Sequence, residues 1–102
     1  MHRTADAKRA EADWIAAVGE PTRIAVIRTL STGEKTVTEL AKACNAEVVN
    51  VSHHLGIMRA AGLVKCERDG RFMRYSLIGA KTTATEVQLT HKTGATVTIP
   101  LV

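Results

Sequence analysis

Glu47-Val-Val-Asn-Val-Ser-His-His-Leu-Gly-Ile-Met-Arg-Ala-Ala61 is the stretch on which the reading of this chain turns. At a helical period, Val51, Leu55 and Met58 fall on one face, the i, i+4, i+7 stripe of an amphipathic helix. Val49, His53, Gly56 and Ala60 fall opposite, flanked by Asn50 and Ser52. A solvated helix face ordinarily carries Lys, Glu and Arg. This one carries compact hydrogen-bonding groups gathered near its N-terminal end. Such side chains let a helix backbone come close to base edges in the major groove of a duplex, where longer ones hold it away.

What stands before this helix prepares it. Thr36-Val-Thr-Glu39 reads as a capping box that starts a short helix running through Ala43. Asn45 suits the left-handed turn of a tight helix-to-helix connection. Two earlier helices precede these. The first spans residues 4 to 18, with Thr4 as N-cap, Asp6 at the positive end of the dipole and an apolar stripe of Ala7, Trp14, Ile15 and Val18. Gly19 stops it, and Pro21 opens the second, which runs to about Ser31 with Ile24, Ile27 and Leu30 inward.

Beyond Gly62 the period changes to two. Leu63 to Arg68 and Arg71 to Leu77 alternate, and Asp69-Gly70 between them fits a type I′ turn. Pairing Arg68 with Arg71 sets Cys66 opposite Met73 and Val64 opposite Tyr75 on one apolar face. Lys65, Glu67, Phe72 and Arg74 share the other. Two arginines at one hairpin tip repel each other, and a phosphate across from the tip would account for them. Residues 79 to 84 read as a linker. Residues 85 to 102 then form a second hairpin around Lys92-Thr93-Gly94, with Val87, Leu89, Val97, Ile99 and Leu101 on one face.

The chain has 102 residues and a formal charge of +4, the length of one domain and a balance that favours an anionic partner. Trp14, Phe72 and Tyr75 are the only aromatics, so aliphatic residues must supply most of the core. No apolar run is long enough to span a bilayer and no signal core is present, so a soluble cytoplasmic protein with no membrane partner is expected. Cys44 and Cys66 make no disulfide framework, and neither CxxC nor HExxH occurs. No nucleophile–base pair, carboxylate pair or phosphate-binding glycine loop is visible, so no catalytic residues and no enzyme are expected.

The order helix, helix, short helix, recognition-like helix and two-stranded wing is that of a winged helix-turn-helix. The expected class is α+β, mainly α with small β: a DNA-binding unit over residues 1 to 78, a linker over 79 to 84, and an additional C-terminal hairpin over 85 to 102. Gly19-Glu-Pro-Thr-Arg23, Val37-Thr-Glu-Leu-Ala41, Val51-Ser-His-His-Leu55, Arg59-Ala-Ala-Gly-Leu-Val64, and Asp69-Gly-Arg71 with Tyr75-Ser-Leu77 resemble the ArsR family of bacterial repressors over roughly residues 10 to 78. The resemblance implies a homodimer that binds a near-palindromic operator in double-stranded DNA and represses until an effector, unidentified here, releases it. It places the DNA face on Thr36, Thr38, Asn50, Ser52, His53, Arg68 and Arg71.

Three departures from the family pattern shape further expectations. Val48 and Val49 stand where relatives often have small polar residues, so part of the base readout is expected to be apolar. Gly56 replaces a frequent Lys or Arg. The family's closing dimerisation helix is replaced by a hairpin, whose Val87, Leu89, Val97 and Ile99 are expected to pack with Trp14, Ile15 and Val18 across a two-fold axis. The family's thiolate metal site falls on Thr36-Val-Thr38, which has no thiolate, so no metal and no cofactor are expected. His53 and His54 are neighbours on a helix and point about 100° apart, too far to converge on one ion. Glu86 and His91 are a generic pair for a metal across a dimer. Arg3, Lys8 and Arg9 suit either DNA flanks or a solvated helix face. Cys44 and Cys66 read as small buried hydrophobes. Two alternative functions remain: a protein–protein interaction module, and a thiol-responsive repressor using Cys44 or Cys66.

Overall fold

Val51, Leu55 and Met58 do face inward, and the rest of the core is assembled around them. The computed structural model describes residues 2–102, with side chains from residue 6 onward. In chain order the elements are α1 (His2–Val18), α2 (Pro21–Leu30), β1 (Lys35–Thr36), α3 (Val37–Ala43), α4 (Val48–Ala60), β2 (Val64–Asp69), β3 (Phe72–Leu77), β4 (Ala80–Thr82), β5 (Glu86–Thr90) and β6 (Thr96–Pro100). They form an α+β domain of four helices and two three-stranded antiparallel sheets, ordered β1-β3-β2 and β4-β5-β6. Among the described residues no helix is long and apolar enough to cross a membrane.

The local signals explain most of the helix boundaries. Pro21 opens α2, where Glu20 caps by accepting the Arg23 N–H at 2.9 Å. The capping box forms as expected: the Glu39 N–H donates to Thr36 Oγ1 at 3.2 Å and the Thr36 N–H donates to Glu39 Oε1 at 2.9 Å. Asn45 takes a φ of 51°, so the chain turns from α3 into α4 in four residues. The helix α1 begins at His2, earlier than expected, and the side chain of Thr4 lies outside the described residues.

The wing differs from its expected register. Asp69 pairs with Phe72, Cys66 with Tyr75 and Val64 with Leu77, so the loop is Gly70-Arg71 and not Asp69-Gly70. Asp69 is held in the ladder by accepting the Arg74 Nε–H at 2.9 Å. Gly70, at φ 63°, then occupies the first central position, where a II′ turn calls for glycine. The register moves by two residues, so the faces keep their composition.

The tail differs more. Residues 79 to 84 are not a linker, because Ala80–Thr82 forms a third strand paired with β5, Ala80 opposite Leu89 and Thr82 opposite Val87. Gly79 makes the entry, with φ 67° and a site where a Cβ would lie 2.5 Å from the Thr90 carbonyl oxygen. The apolar face of this sheet is covered within the same chain. Trp14, Val18, Val87, Leu89 and Ile99 are all at most 5% exposed and share one core with α2 and α4, and Val97 packs half-buried at its edge. The expected packing of these residues across a two-fold axis is therefore corrected: they are spent in cis. Intrachain cover carries no association entropy, and the Trp14 side of the helical core needed a lid. Polar ties fasten it, Arg28 Nε donating to the Pro100 carbonyl at 2.9 Å and Thr93 Oγ1 to Glu11 Oε1 at 2.6 Å. Of the expected dimer set, Ile15 stays open, 47% exposed.

Candidate nucleic-acid interface

Burying Val51, Leu55 and Met58 turns Val49, Asn50, Ser52, His53 and Gly56 outward, and all five are exposed. Val49, 80% exposed, and Val48 beside it make the first turn of α4 partly apolar. Glu47 stands at the N-cap without a side-chain cap bond, which leaves that turn's N–H groups without a side-chain partner from the cap residue. The face thus offers short donors, short acceptors and two branched methyl groups, with no charged side chain among residues 48 to 58.

The helix is aimed by a polar joint at its back. His54 is half-buried, with Nδ1 3.1 Å from Arg23 Nη1 and 3.5 Å from Glu20 Oε2. Arg23 also donates through Nε to the Ala17 carbonyl at 2.7 Å, so one guanidinium joins the end of α1, the start of α2 and the middle of α4. Burial pushes the Glu20 carboxyl up, but the N–H groups of Arg23 and Thr22 and the nearby cations outweigh it and leave the group below its ordinary value. These residues came from the Gly19–Arg23 block, which the sequence marked without showing its purpose.

At the other end, α3 meets the wing. Thr36, Thr38, Glu39, Phe72 and Arg74 line a cleft of about 340 Å³. The Glu39 carboxyl is held below its ordinary value, first by the backbone N–H of Thr36, then by the Thr36 side chain. Arg74 spans the junction, with Nε on Asp69 and Nη1 3.8 Å from Glu39. The Asp69 hydrogen bond pushes its pKa up. The Thr36 hydroxyl is committed to the cap, whereas Thr38 is exposed. Neither Arg74 nor Phe72 was singled out from sequence, since both depend on the register of the wing.

Arg68 and Arg71 end the wing. Both are exposed and, among the described residues, neither has an ion-pair partner. The Arg71 guanidinium lies 5.5 Å from the centre of the half-exposed Phe72 ring, a cation–π contact that gives it a preferred direction. Cys44 and Cys66 are free and half-buried, Cys44 Sγ lying 3.9 Å from Thr29 Oγ1. Burial, then contact with Cys66, pushes the Tyr75 phenol up. Among the described residues no group of three His, Cys, Asp or Glu side chains is placed to hold a metal ion.

The pair α3–α4, with α2 behind it and a two-stranded wing after it, defines a winged helix-turn-helix protein. The model of the bacterial regulatory protein, arsR family, matches residues 20–65. The transcriptional repressor SdpR of Bacillus subtilis is 34% identical over 61 residues, covering 60% of this chain and 68% of SdpR. The regulator NmtR of Mycobacterium tuberculosis is 39% identical over 66 residues, covering 65% of this chain and 55% of NmtR. Among solved structures, the homodimeric winged helix-turn-helix DNA-binding domain of Mb0332 from Mycobacterium bovis superposes with a TM-score of 0.72 at 25% identity, covering 76% of this chain and 71% of that one. The repressor BigR from Xylella fastidiosa gives 0.62 at 30% identity, covering 76% and 82%. The chain belongs to the ArsR family, whose matched members are named as transcriptional regulators and not as enzymes. It spans about half the length of NmtR, at 55%.

Proposed function

We propose that the protein is a transcriptional regulator, acting as a repressor, that binds a near-palindromic operator in duplex DNA as a homodimer. The observation that carries this is the exposed outer face of α4, uncharged over residues 48 to 58, beside a wing tip holding two arginines without ion-pair partners among the described residues. Asn50 has the geometry to bridge adenine N6 and N7, and His53 to meet a purine edge. Ser52 serves base or phosphate. Val48 and Val49 suit thymine methyl groups. Thr38 donates to a phosphate from the start of α3, with Thr36 fixing that turn from behind. Arg68 and Arg71 reach flanking phosphates. Because the Trp14 side of α1 is closed by the tail sheet, the second copy rests on the exposed face of α1 that carries Ala12, Ile15 and Ala16. The mycobacterial neighbour described as homodimeric supports that stoichiometry.

The competing reading, a protein–protein adaptor, draws on the exposure of Val48, Val49 and Ile57 along α4. The net charge of +4 and the free arginines weigh for DNA. Selection of bound sequences from random duplexes by the purified protein separates the two. The proposal expects an enriched two-fold-related motif with half-sites roughly 34 Å apart. Recovery of no preferred sequence would remove it.

A further inference from the structure

A cleft of about 360 Å³ opens where α1, the end of α4 and the tail sheet meet, and none of its lining residues is among those assigned to DNA. Ala10, Trp14, Ala60 and Ile78 supply its apolar walls, and Arg59 and Lys92 its cations. Among the described residues neither cation has an ion-pair partner. His91 lines the cleft with them and is nine-tenths buried, its ring centre 5.3 Å from that of Trp14.

Both hydrogen-bond contacts of the His91 ring run through Nδ1 to Thr93. Thr93 Oγ1 gives its one proton to Glu11 Oε1 at 2.6 Å, while His91 Nδ1 lies 2.9 Å from Thr93 Oγ1 and accepts the Thr93 backbone N–H at 3.4 Å. Nε2 has no protein partner among the described residues, yet no unpartnered side-chain nitrogen or oxygen among them is sealed from solvent, so this atom has an opening. His91 is among the residues that line the cleft. Glu11 stands behind Thr93 and does not line it.

From these groups we infer that the cleft is a binding site for a small organic anion, specifically a single-ring carboxylate that also carries a hydroxyl. The carboxylate meets Arg59 and Lys92, the ring lies against Ala10, Ala60 and Ile78, and the hydroxyl shares a hydrogen bond with His91 Nε2. The site joins the last turn of α4 to the tail sheet, so its occupant contacts both. The inference does not depend on what α4 binds.

Trp14 is the single tryptophan, so the protein has one indole N–H resonance, and it reports from the cleft wall. The three isomeric hydroxybenzoates are titrated into the full chain, with benzoate and the matching hydroxybenzamides as controls. At least one hydroxybenzoate should shift the indole resonance saturably. Benzoate and the amide should each bind more weakly, by about ten-fold for the loss of a hydrogen bond or of the charge. Lys92→Gln and Arg59→Gln, both surface changes, should weaken binding by about ten-fold each on the same grounds. The inference is overturned if no hydroxybenzoate moves the indole, if the amide binds as well as the acid, or if both variants bind as the wild type does.

Discussion

Leu89→Ala tests whether the tail sheet is part of the core of one chain. Leu89 is fully buried on β5, between the β4 and β6 strands and in the same apolar cluster as Trp14 and Val18. Truncating a leucine in such a site removes transfer energy and leaves a cavity, about 2–5 kcal/mol in comparable cores. The site is enclosed by a sheet on one side and α1 on the other, so it has little room to collapse, and we expect about 3 kcal/mol. Native domains have only about 5–15 kcal/mol in hand. A loss of that size lowers the melting temperature of a chain this long by about 12–24 °C, at roughly 4–8 °C per kcal/mol. Urea unfolding of the wild type and the variant, followed by Trp14 fluorescence at two protein concentrations, measures it. If the cover is intrachain, the difference between the two proteins is the same at both concentrations, even though the proposed dimerisation would make each midpoint concentration-dependent. A loss below about 1 kcal/mol, the range of surface changes, would show that Leu89 is not in the core. A difference that grew with protein concentration would show that the sheet covers a second copy.

Three further outcomes follow from the geometry. Asn50→Ala and His53→Ala should each relax sequence preference at one position of a selected operator, a base contact being worth about 1–3 kcal/mol, and competition between point-mutated duplexes reads it. Gly79→Ala should destabilise by about 1–3 kcal/mol, because a positive φ is combined with a Cβ site pressed on the Thr90 carbonyl; urea unfolding checks this. Glu39 has a folded pKa below its unfolded value, so its contribution is present above the ordinary glutamate pKa of about 4.3 and is lost as pH falls through the folded value. Glu39→Gln, which has no such charge to lose, should show a shallower fall in stability on acidification, and identical profiles would count against the capping carboxylate.

The recognition unit was legible because its signals are local. The stripe of Val51, Leu55 and Met58, the Thr36–Glu39 box and the left-handed Asn45 each depend on a few adjacent residues, and each is where the pattern puts it. The wing was legible as a hairpin but not in register, because Asp69 had two roles open to it and its tertiary partner Arg74 decided between them. The strand Ala80–Thr82 gave no sign of itself. It is a short edge strand with every residue exposed, so no apolar alternation marks it. Least legible was the partner of the tail. Alternation shows that Val87, Leu89 and Ile99 share a face that must be covered, but not whether α1 of the same chain or of another covers it. The polar joint of Glu20, Arg23 and His54 was hidden for a similar reason, since 31 residues separate Arg23 from the histidine it holds.

Whether α4 and the wing meet duplex DNA is decided by a salt titration. Operator affinity of the wild type, Arg68→Ala and Arg71→Ala is measured by fluorescence anisotropy across a range of salt concentrations. Log affinity should fall linearly with log salt, by about 0.9 for each phosphate neutralised. Each wing variant should weaken binding to all duplexes alike and make the slope shallower by about one. A wild-type affinity indifferent to salt, or wing variants with the wild-type slope, would contradict the assignment of Arg68 and Arg71 to the DNA backbone.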